Sequence, residues 1–426
     1  MASQARDTAR KVLRRVHGGA WATLALGGEL GRISSIQERA LCTELVYGVL
    51  KQRRRLDWAL AAKAPRGLGS LDETVLDALR LGAYQILFLR IPAHAAVDDA
   101  VDAIKRLRSA KLAGFANAIL RGLAKDGEPP PPNNDLPTRL GIEASAPDWL
   151  VADALSRFSP TEAAQSLHAW NQPAPVWLRV QTGRATVEQA VERLRKERPE
   201  ARVTASTTDP EALRIDSGGD PAATGTFGEG WVTAQDLAAQ RVAHLCAPVK
   251  GLVVLDGCAG VGGKSTHLLQ LGAARVDAAD LSARKLELAV DSARRLGLGG
   301  LRTIVADLTD PKAPVDGIYD VVLVDAPCSG LGVLRRHPEA KWRPKPELGG
   351  LAKTQAAILD ALGKRVRPGG ALVYSVCTFT DEEGPQVIAA FLSAHPEFSA
   401  EGPALTTWPH RDDADAFFAQ KLRRAK

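Results

Sequence analysis

The stretch VVLDGCAGVGGKSTHLL, residues 253–269, has the pattern of a buried strand, a glycine-rich turn and the start of a helix. Such a turn brings a ligand close to the backbone N–H groups at a helix N-terminus. The stretch does not match the Walker A pattern GxxxxGK[ST], because Cys258 stands where the first glycine is required. Counted from Gly260, it also misses the dinucleotide pattern GxGxxG, since the third glycine falls on Ser265. The turn therefore predicts a ligand site in a doubly wound sheet and leaves the ligand open.

Apolar strands and amphipathic helices alternate from this turn onwards. The predicted strands are LVVLDG, ARVDAADL, LRTIVADL, YDVVLVDAP and ALVYSVCT, and the predicted helices are KSTHLLQLG, ARKLELAVDSARRLG and LAKTQAAILDALGKRV. Near-continuous apolar strands between helices are typical of a parallel sheet that is covered on both faces. We expect residues 221–426 to form this α/β domain.

Aspartates close three of the predicted strands. Asp280 stands 20 residues after Gly260, where a carboxylate can accept hydrogen bonds from ribose hydroxyls, and Asp307 and Asp325 end the next two strands. Carboxylates in this arrangement suit a ligand with a ribose, an adenine amino group and a cationic centre, which is S-adenosylmethionine. The alternative is that Asp280 and Asp307 only cap the helices that follow them.

Two cysteines follow strands that are expected to end at the same edge of the sheet. They are Cys328 in DAPCSG and Cys377 in YSVCTFTDEEG. The chain has five cysteines in all, widely scattered, with no CxxC pair and no histidine at ligand spacing. We therefore expect neither disulfides nor a metal site.

The chain before residue 221 has a different character. Residues 1–126 are predicted to form an all-α domain, and DGEPPPPNNDLP, residues 126–137, contains four consecutive prolines that neither a helix nor a sheet interior accepts. We place a linker at residues 127–137 and a small connecting α/β module at residues 138–220.

Positive charge is concentrated at the N-terminal end. The chain carries a net charge of +6, whereas residues 1–125 contain 21 Lys and Arg against 11 Asp and Glu, a net charge of +10. This asymmetry favours a polyanionic partner such as nucleic acid, although a run such as KQRRR, residues 51–55, is also typical of a solvated helix surface. The sequence has no apolar run long enough for a membrane span and no secretory signal pattern, so we expect a cytoplasmic protein.

Three stretches together carry a family resemblance: LDGCAGVGGKSTHLL, VDAPCSGLGVLRRHPEAKW and YSVCTFTDEEG. With them the chain resembles the RNA 5-methylcytosine methyltransferases, and specifically the bacterial RsmB (Fmu/Sun) family of 16S ribosomal RNA enzymes. GFANAILRGL, FGEGWVTAQDLAAQ and DAFFAQKLRR are also similar to family stretches, so the resemblance covers nearly the whole chain. It implies a NusB-like helical RNA-binding domain, a connecting module and a Rossmann-like methyltransferase domain. Where the family usually has CAAPGGK, this chain has CAGVGGK, and Val261 lacks the fixed φ of proline.

The resemblance also implies roles for individual residues. Cys377 would be the nucleophile, Cys328 would assist proton removal and product release, and Asp325 would stabilise the protonated N3 of the base. The family's cofactor is S-adenosylmethionine and its partner is RNA, here 16S rRNA; we expect no DNA or membrane partner and a monomer. Arg335 to Arg343, RRHPEAKWR, would face the RNA, the alternative being a solvated loop with a buried Trp342. The implied cofactor-binding residues are Cys258, Ala259, Gly260, Val261, Gly262, Gly263, Lys264, Asp280 at the ribose, Asp307 at the adenine, and Asp325.

The chemistry explains why such residues are needed. C5 of cytosine is too weak a nucleophile to take a methyl group until a thiolate has added to C6 and N3 has gained a proton. Three alternatives remain at this point: a 5-methylcytosine methyltransferase that acts on another RNA, a NusB-like RNA-binding assembly factor with a degenerate methyltransferase domain, and a P-loop nucleotidase. The intact cysteine pair argues against the second, and the misplaced glycine argues against the third.

Overall fold

The computed structural model describes residues 3–65, 67–106, 110–217, 219–310 and 312–426. The chain divides into two compact units. The first contains Met1–Pro173 and Leu334–Lys345, and the second contains Ala174–Val333 and Pro346–Lys426.

The first unit is helical. In helix α1, the buried residues Ala5, Ala9, Val12 and Val16 recur every three or four positions and so form one apolar face. This face joins a single core with apolar residues of the helices that follow. The helices are α1 (Gln4–His17), α2 (Ala22–Leu30), α3 (Ile36–Ala61), α4 (Glu73–Phe88), α5 (Ala93–Arg106), α6 (Ala110–Asp126), α7 (Leu136–Glu143), α8 (Asp148–Arg157) and α9 (Pro160–Ala169).

Helices α7 and α9 follow the proline-rich stretch and have clear start signals. Asp135 and Ser159 accept hydrogen bonds from the backbone N–H groups of Thr138 and Glu162, and proline stands in the first turn of each helix. The sequence predicts a small connecting α/β module from residue 138 onwards. In the structure, this stretch begins with three helices that belong to the first unit.

The basic stretch RRHPEAKWR lies within the first unit, and its expected exposure to RNA is wrong for several of its residues. Lys341 is only 2% exposed, and its Nζ donates to the carbonyl oxygens of Lys51 and Ser145 and to Oδ1 of Asn171 at 2.7–3.0 Å. Burial lowers the pKa of Lys341 well below its usual value. Arg335 is also buried, and the indole N–H of Trp342 donates to the helix backbone. These side chains satisfy buried carbonyls, which sequence composition does not reveal.

The run at residues 51–55 is also partly neutralised within the first unit. Arg54 forms an ion pair with Asp148 at 2.6 Å, and Arg55 pairs with both carboxylate oxygens of Glu128. At residues 51–55, neighbouring carboxylates therefore compensate part of the positive charge of the N-terminal third.

The second unit begins with a small antiparallel sheet in the order β2-β3-β1-β4. Leu178, Leu213 and Val232 of the sheet pack with Ala190 and Leu194 of one helix in a separate core. The last strand pairs with β1 and extends this module beyond residue 220. Its elements are β1 (Val176–Val180), α10 (Val187–Glu197), β2 (Arg202–Ala205), β3 (Ala212–Asp216), α11 (Gly225–Gly228) and β4 (Val232–Ala234).

A larger mixed sheet of eight strands fills the rest of the second unit. Its order is β10-β12-β9-β8-β5-β6-β7, with β11 paired to β12. Strands β5 to β9 are parallel, as the sequence predicts. The elements are α12 (Leu237–Leu245), β5 (Val253–Gly257), α13 (Gly263–Gln270), β6 (Arg275–Asp280), α14 (Ala283–Leu296), β7 (Leu301–Val305), β8 (Tyr319–Asp325), α15 (Leu348–Gly363), β9 (Val366–Val376), α16 (Pro385–Ala394), β10 (Phe398–Ala400), β11 (Leu405–Thr407), α17 (Pro409–Asp412) and β12 (Phe417–Arg424).

The C-terminal strands correct the expectation of a parallel sheet. Strand β12 runs antiparallel to β9, and β10 and β11 run antiparallel to β12. The connections among these three strands are too short for the crossover that parallel neighbours require. Strand β5 lies between β6 and β8, so the direction of strand order reverses there, and the carboxyl ends of β5 and β8 flank the crevice where such sheets bind ligands. Within the described residues, no helix combines the length and apolar character needed to span a bilayer.

A substitution at Gly230 can test how closely the small module packs on α14. The φ of this glycine is +75°, and a Cβ at this position would lie 2.0 Å from the carbonyl oxygen of Arg295. Gly251 has nearly the same φ, +76°, with open space around it. We expect Gly230→Ala to lower the free energy of unfolding by about 3 kcal/mol or more, because backbone strain and a clash with helix backbone add together. Gly251→Ala should cost about 1 kcal/mol, from strain alone. Urea denaturation of both variants measures the difference, and equal losses would contradict this packing.

Candidate active site

A cavity of about 350 Å³ lies at the carboxyl ends of β5, β6 and β8. It combines three carboxylates with apolar walls, which is the composition of a site for an organic ligand that carries polar groups. Its lining residues are Cys258, Gly260, Asp280, Leu281, Lys285, Ala306, Asp307, Leu308, Thr309, Asp325, Pro327, Thr354 and Ile358.

The glycine-rich turn forms one wall of this cavity. Gly262 caps α13 with a φ of +77°, and a Cβ there would lie 2.4 Å from Cβ of Ala289, so both conformation and close packing require glycine. The Ala259 N–H donates to the carbonyl oxygen of Ala279 at 2.9 Å, and Gly263 begins the helix. Val261, which replaces the family's proline, is 53% exposed. Of the predicted loop residues, the cavity is lined by Cys258 and Gly260.

Asp280 and Asp307 line the cavity and also organise the local backbone. Asp280 accepts hydrogen bonds from the N–H groups of Gly260 and Ser282, at 2.9 and 2.8 Å. Asp307 accepts from the N–H and the hydroxyl of Thr309, which lower the pKa of its carboxyl. Both carboxylates thus support turns and line the cavity at once, and they do not cap the helices that the alternative interpretation expected: Ser282 caps α14, and in the described part of the chain no helix follows Asp307 directly.

Lys264 turns its ammonium group towards Asp325. Its Nζ lies 2.6 Å from Oδ2 of Asp325, whose Oδ1 accepts from the Ser375 hydroxyl at 2.6 Å. Burial alone would lower the pKa of Lys264, but the neighbouring carboxylates, Asp325 first, outweigh burial and raise it. A buried cation is therefore held beside the two cysteine loops.

The two predicted cysteines meet. Sγ of Cys328 lies 3.3 Å from Sγ of Cys377, and the backbone N–H of Gly332 donates to the Cys377 carbonyl oxygen at 3.0 Å. The hydrogen bond with Cys377, followed by burial, raises the pKa of Cys328 well above its usual value. One thiolate and one thiol in contact can act as a nucleophile and as a proton carrier.

Two groups of side chains elsewhere have the composition of metal ligands. In the first unit, Arg80 already pairs with Glu73 at 2.6 Å, and in the second unit the Glu211 carboxylate already accepts from the Gln270 side chain and contacts both histidines. A divalent cation would add uncompensated charge to either place, so we assign no metal to them. The groups are Glu211, His244 and His267 in the second unit and His17, Glu73 and Asp77 in the first.

Some residues at the cysteine loops were not identified from the sequence. Glu383 and Gln355 are fully buried beneath Cys328, and Ser375 holds Asp325. Glu383 stands in a stretch that we quoted for its cysteine, and Gln355 is a polar residue on the apolar side of α15, between Leu351 and Ile358. A polar residue at a core position of an amphipathic helix is the signal that could have revealed it.

Comparison with known proteins decides the family. The family described as 16S rRNA methyltransferase RsmB/F matches residues 243–423, the NusB family matches residues 3–125, and an RsmF/B-like ferredoxin-like domain matches residues 146–221. Ribosomal RNA small subunit methyltransferase B of Salmonella typhi is 33% identical over 404 residues, which cover 91% of this chain and 90% of that protein. The protein of the same name from Citrobacter koseri is 33% identical and covers 91% of each. The chain belongs to the RsmB/F methyltransferase family.

Comparison with solved structures shows that the similarity of fold covers the whole chain. PH0851 superposes with a TM-score of 0.81 at 23% identity and covers 100% of this chain and 99% of its own. NSun6 from Pyrococcus horikoshii, solved with SFG, has a TM-score of 0.58 at 20% identity and covers 66% of this chain and 98% of its own. The helical domain, a small connecting α/β module and the Rossmann-like methyltransferase domain are thus the architecture that the sequence predicts, and the family match describes the module as ferredoxin-like.

Asp256, directly before the glycine-rich turn, provides a pH test of the site's electrostatics. It is fully buried, and burial raises its pKa to about 7 although the Ser265 hydroxyl donates to it at 2.5 Å. The folded state therefore binds this proton more tightly than the unfolded state, and the carboxyl costs stability as pH rises from about 4 to 7.

We expect Asp256→Asn to change the free energy of unfolding by an amount that depends on pH. Relative to the wild type, this change should be about 3 kcal/mol more favourable at pH 8 than at pH 4.5. Urea denaturation of both proteins at the two pH values measures this difference. The same effect of the substitution at both pH values would contradict the raised pKa.

Proposed function

We propose that this protein transfers a methyl group from S-adenosylmethionine to C5 of a cytosine in 16S rRNA, through a covalent adduct between Cys377 and C6. The observation that carries the proposal is the contact of the two thiols at 3.3 Å, next to a cavity that Asp325 also lines. A binding protein with a degenerate catalytic domain has no need of this pair, and a P-loop nucleotidase would use neither cysteine.

The cavity suits S-adenosylmethionine. Asp280 and Asp307 stand at the ends of successive strands, where they can accept hydrogen bonds from the ribose hydroxyls and the adenine amino group. The apolar side chains of Leu281, Leu308 and Ile358 offer surfaces for the adenine ring. When bound, the cofactor supplies an electrophilic methyl group.

The thiol pair gives each cysteine a separate task. The Cys377 thiolate donates its electron pair to C6 while N3 takes up a proton from water, and the Asp325 carboxylate accepts the N3–H hydrogen bond. C5 then has the electron density to take the methyl group. Lys264, held 2.6 Å from Asp325, keeps positive charge near the developing anion.

Release needs a base. After methyl transfer, the C5 proton must leave, the C6–S bond must break and the Cys377 thiolate must depart. Cys328 can take this role once its thiol proton has passed to water, because its raised pKa makes the resulting thiolate a strong base next to the departing sulfur. The proton on N3 then returns to water as the neutral base is restored. The neutral thiol of Cys328, by the same reasoning, is a poor competitor for the attack on C6.

The proposed substrate rests on the relatives. The curated proteins at 33% identity are named for the small-subunit ribosomal RNA, and in this chain the NusB match precedes the methyltransferase match. The direct test is bisulfite sequencing of ribosomal RNA from a strain that lacks the gene. We expect one protected cytosine of 16S rRNA to become convertible in the deletion strain and to be restored by the wild-type gene. Loss of a methylcytosine from transfer RNA or 23S rRNA instead would contradict the substrate.

Substitution of the two cysteines separates attack from release. Cys377→Ala should lower methyl transfer by more than about 10⁴-fold, because no other group replaces the nucleophile. Cys328→Ala should accumulate a protein–RNA adduct that survives SDS, because attack proceeds and elimination does not. Incorporation of tritiated methyl groups and gel electrophoresis with labelled RNA measure the two effects.

Cys246→Ala is the matched control, since this cysteine is buried at the end of α12, outside the cavity lining and the cysteine loops. It should methylate like the wild type and form no stable adduct. An adduct that appears in the Cys377 variant and is absent from the Cys328 variant would show that the roles are reversed.

A further inference from the structure

Two fully buried polar side chains lie beneath the loop that carries Cys328. Gln355 belongs to α15 and Glu383 precedes α16. Nε2 of Gln355 donates to the carbonyl oxygen of Pro327 and to Oε1 of Glu383, both at 3.0 Å. The same Oε1 accepts from the backbone N–H of Ser329 at 2.8 Å. The peptide groups on both sides of Cys328 are therefore held by this pair of side chains.

The second carboxylate oxygen of Glu383 joins the two cysteine loops. Oε2 accepts from the hydroxyl of Ser329 at 2.5 Å and from the hydroxyl of Thr380 at 2.8 Å. The Ser329 hydroxyl also lies 3.1 Å from that of Thr378, the residue after Cys377. The four donors to this carboxylate are all neutral groups, so its position depends on the directions of these hydrogen bonds.

Gln355 is the residue on which the arrangement depends most. Its amide nitrogen supplies two N–H donors to two acceptors that belong to different segments. A carboxylate at this position would place an oxygen, which has no hydrogen to donate, next to the Pro327 carbonyl oxygen and Oε1 of Glu383. An apolar side chain would leave the Pro327 carbonyl without this donor. In either case Cys328 becomes free to move relative to Cys377, and a displacement of about 1 Å at a reacting group can cost about 10²-fold in rate.

We propose that Gln355, acting through Glu383, is a positioning residue that holds the Cys328 thiol against Cys377 for release of the methylated RNA. This inference rests on the proposed covalent mechanism. Gln355 donates to the segment that carries Cys328, and its link to the Cys377 loop runs through Glu383 and Thr380. Its loss should therefore slow the step in which the C5 proton leaves and the C6–S bond breaks more than the attack on C6.

A single-turnover experiment on the full-length protein separates these steps. With labelled 16S rRNA and S-adenosylmethionine, one rate describes formation of the SDS-resistant adduct and a second describes its decay to free methylated RNA. We expect Gln355→Met and Gln355→Glu to form the adduct within about threefold of the wild-type rate and to release RNA at least about tenfold more slowly.

The pH dependence distinguishes positioning from general loss of structure. As pH falls from 8 to 6, the carboxyl introduced in Gln355→Glu gains a proton and can again donate to Oε1 of Glu383. Release by Gln355→Glu should therefore recover towards the wild-type rate, whereas release by Gln355→Met should not.

Gln240→Glu is the matched control. Gln240 is a buried glutamine of the same unit, and its Nε2 donates to the Gln235 carbonyl oxygen at 2.9 Å, outside the cysteine loops. It should lose stability and keep the wild-type ratio of the two rates. If Cys328→Ala accumulates the adduct but both Gln355 variants release RNA at the wild-type rate, the positioning role is wrong. If Cys328→Ala accumulates no adduct, the proposed mechanism itself fails.

Discussion

The parallel pairing of β8 with β9 is the constraint on which the active site depends. Asp325 lies opposite Ser375 in this register, and the strands are completely buried just before their ends. The chain reaches Cys328 three residues after Asp325 and Cys377 two residues after Ser375. A slip of one residue would turn every side chain of a strand to the opposite face. The 3.3 Å contact between the sulfurs is thus a product of strand register.

Near this contact, two carboxylates are held by different kinds of partner. Asp325 is compensated by Lys264, whereas the buried carboxylate of Glu383 is held by neutral donors. Ionic and hydrogen-bonded stabilisation therefore serve different parts of the site. In the proposed mechanism, the ion pair stands where charge develops during attack on C6, and the neutral network holds the loops whose geometry decides the release.

The sequence predicted the elements that follow simple rules. Apolar strands, amphipathic helices such as α14 and the glycine turn were found, because burial and backbone conformation are encoded locally. Helices α7 and α9 were not predicted, although each begins with a clear N-cap. The antiparallel strand β12 was missed, since strand direction depends on connection geometry rather than on residue pattern. The basic stretch with Lys341 was misjudged because a charged residue that satisfies buried carbonyls has the same sequence signature as an exposed one. Gln355 and Glu383 escaped notice because their partners are brought together only by the fold.

The most direct test of this account is to identify the cysteine that carries the RNA. A 16S rRNA fragment with 5-fluorocytosine at the target position cannot lose a C5 proton, so the adduct should be trapped in the wild-type protein. Digestion and mass spectrometry should then find the nucleotide on the peptide that contains Cys377, with Cys328 as a free thiol. A nucleotide on the Cys328 peptide, or no trapped adduct at all, would contradict the account.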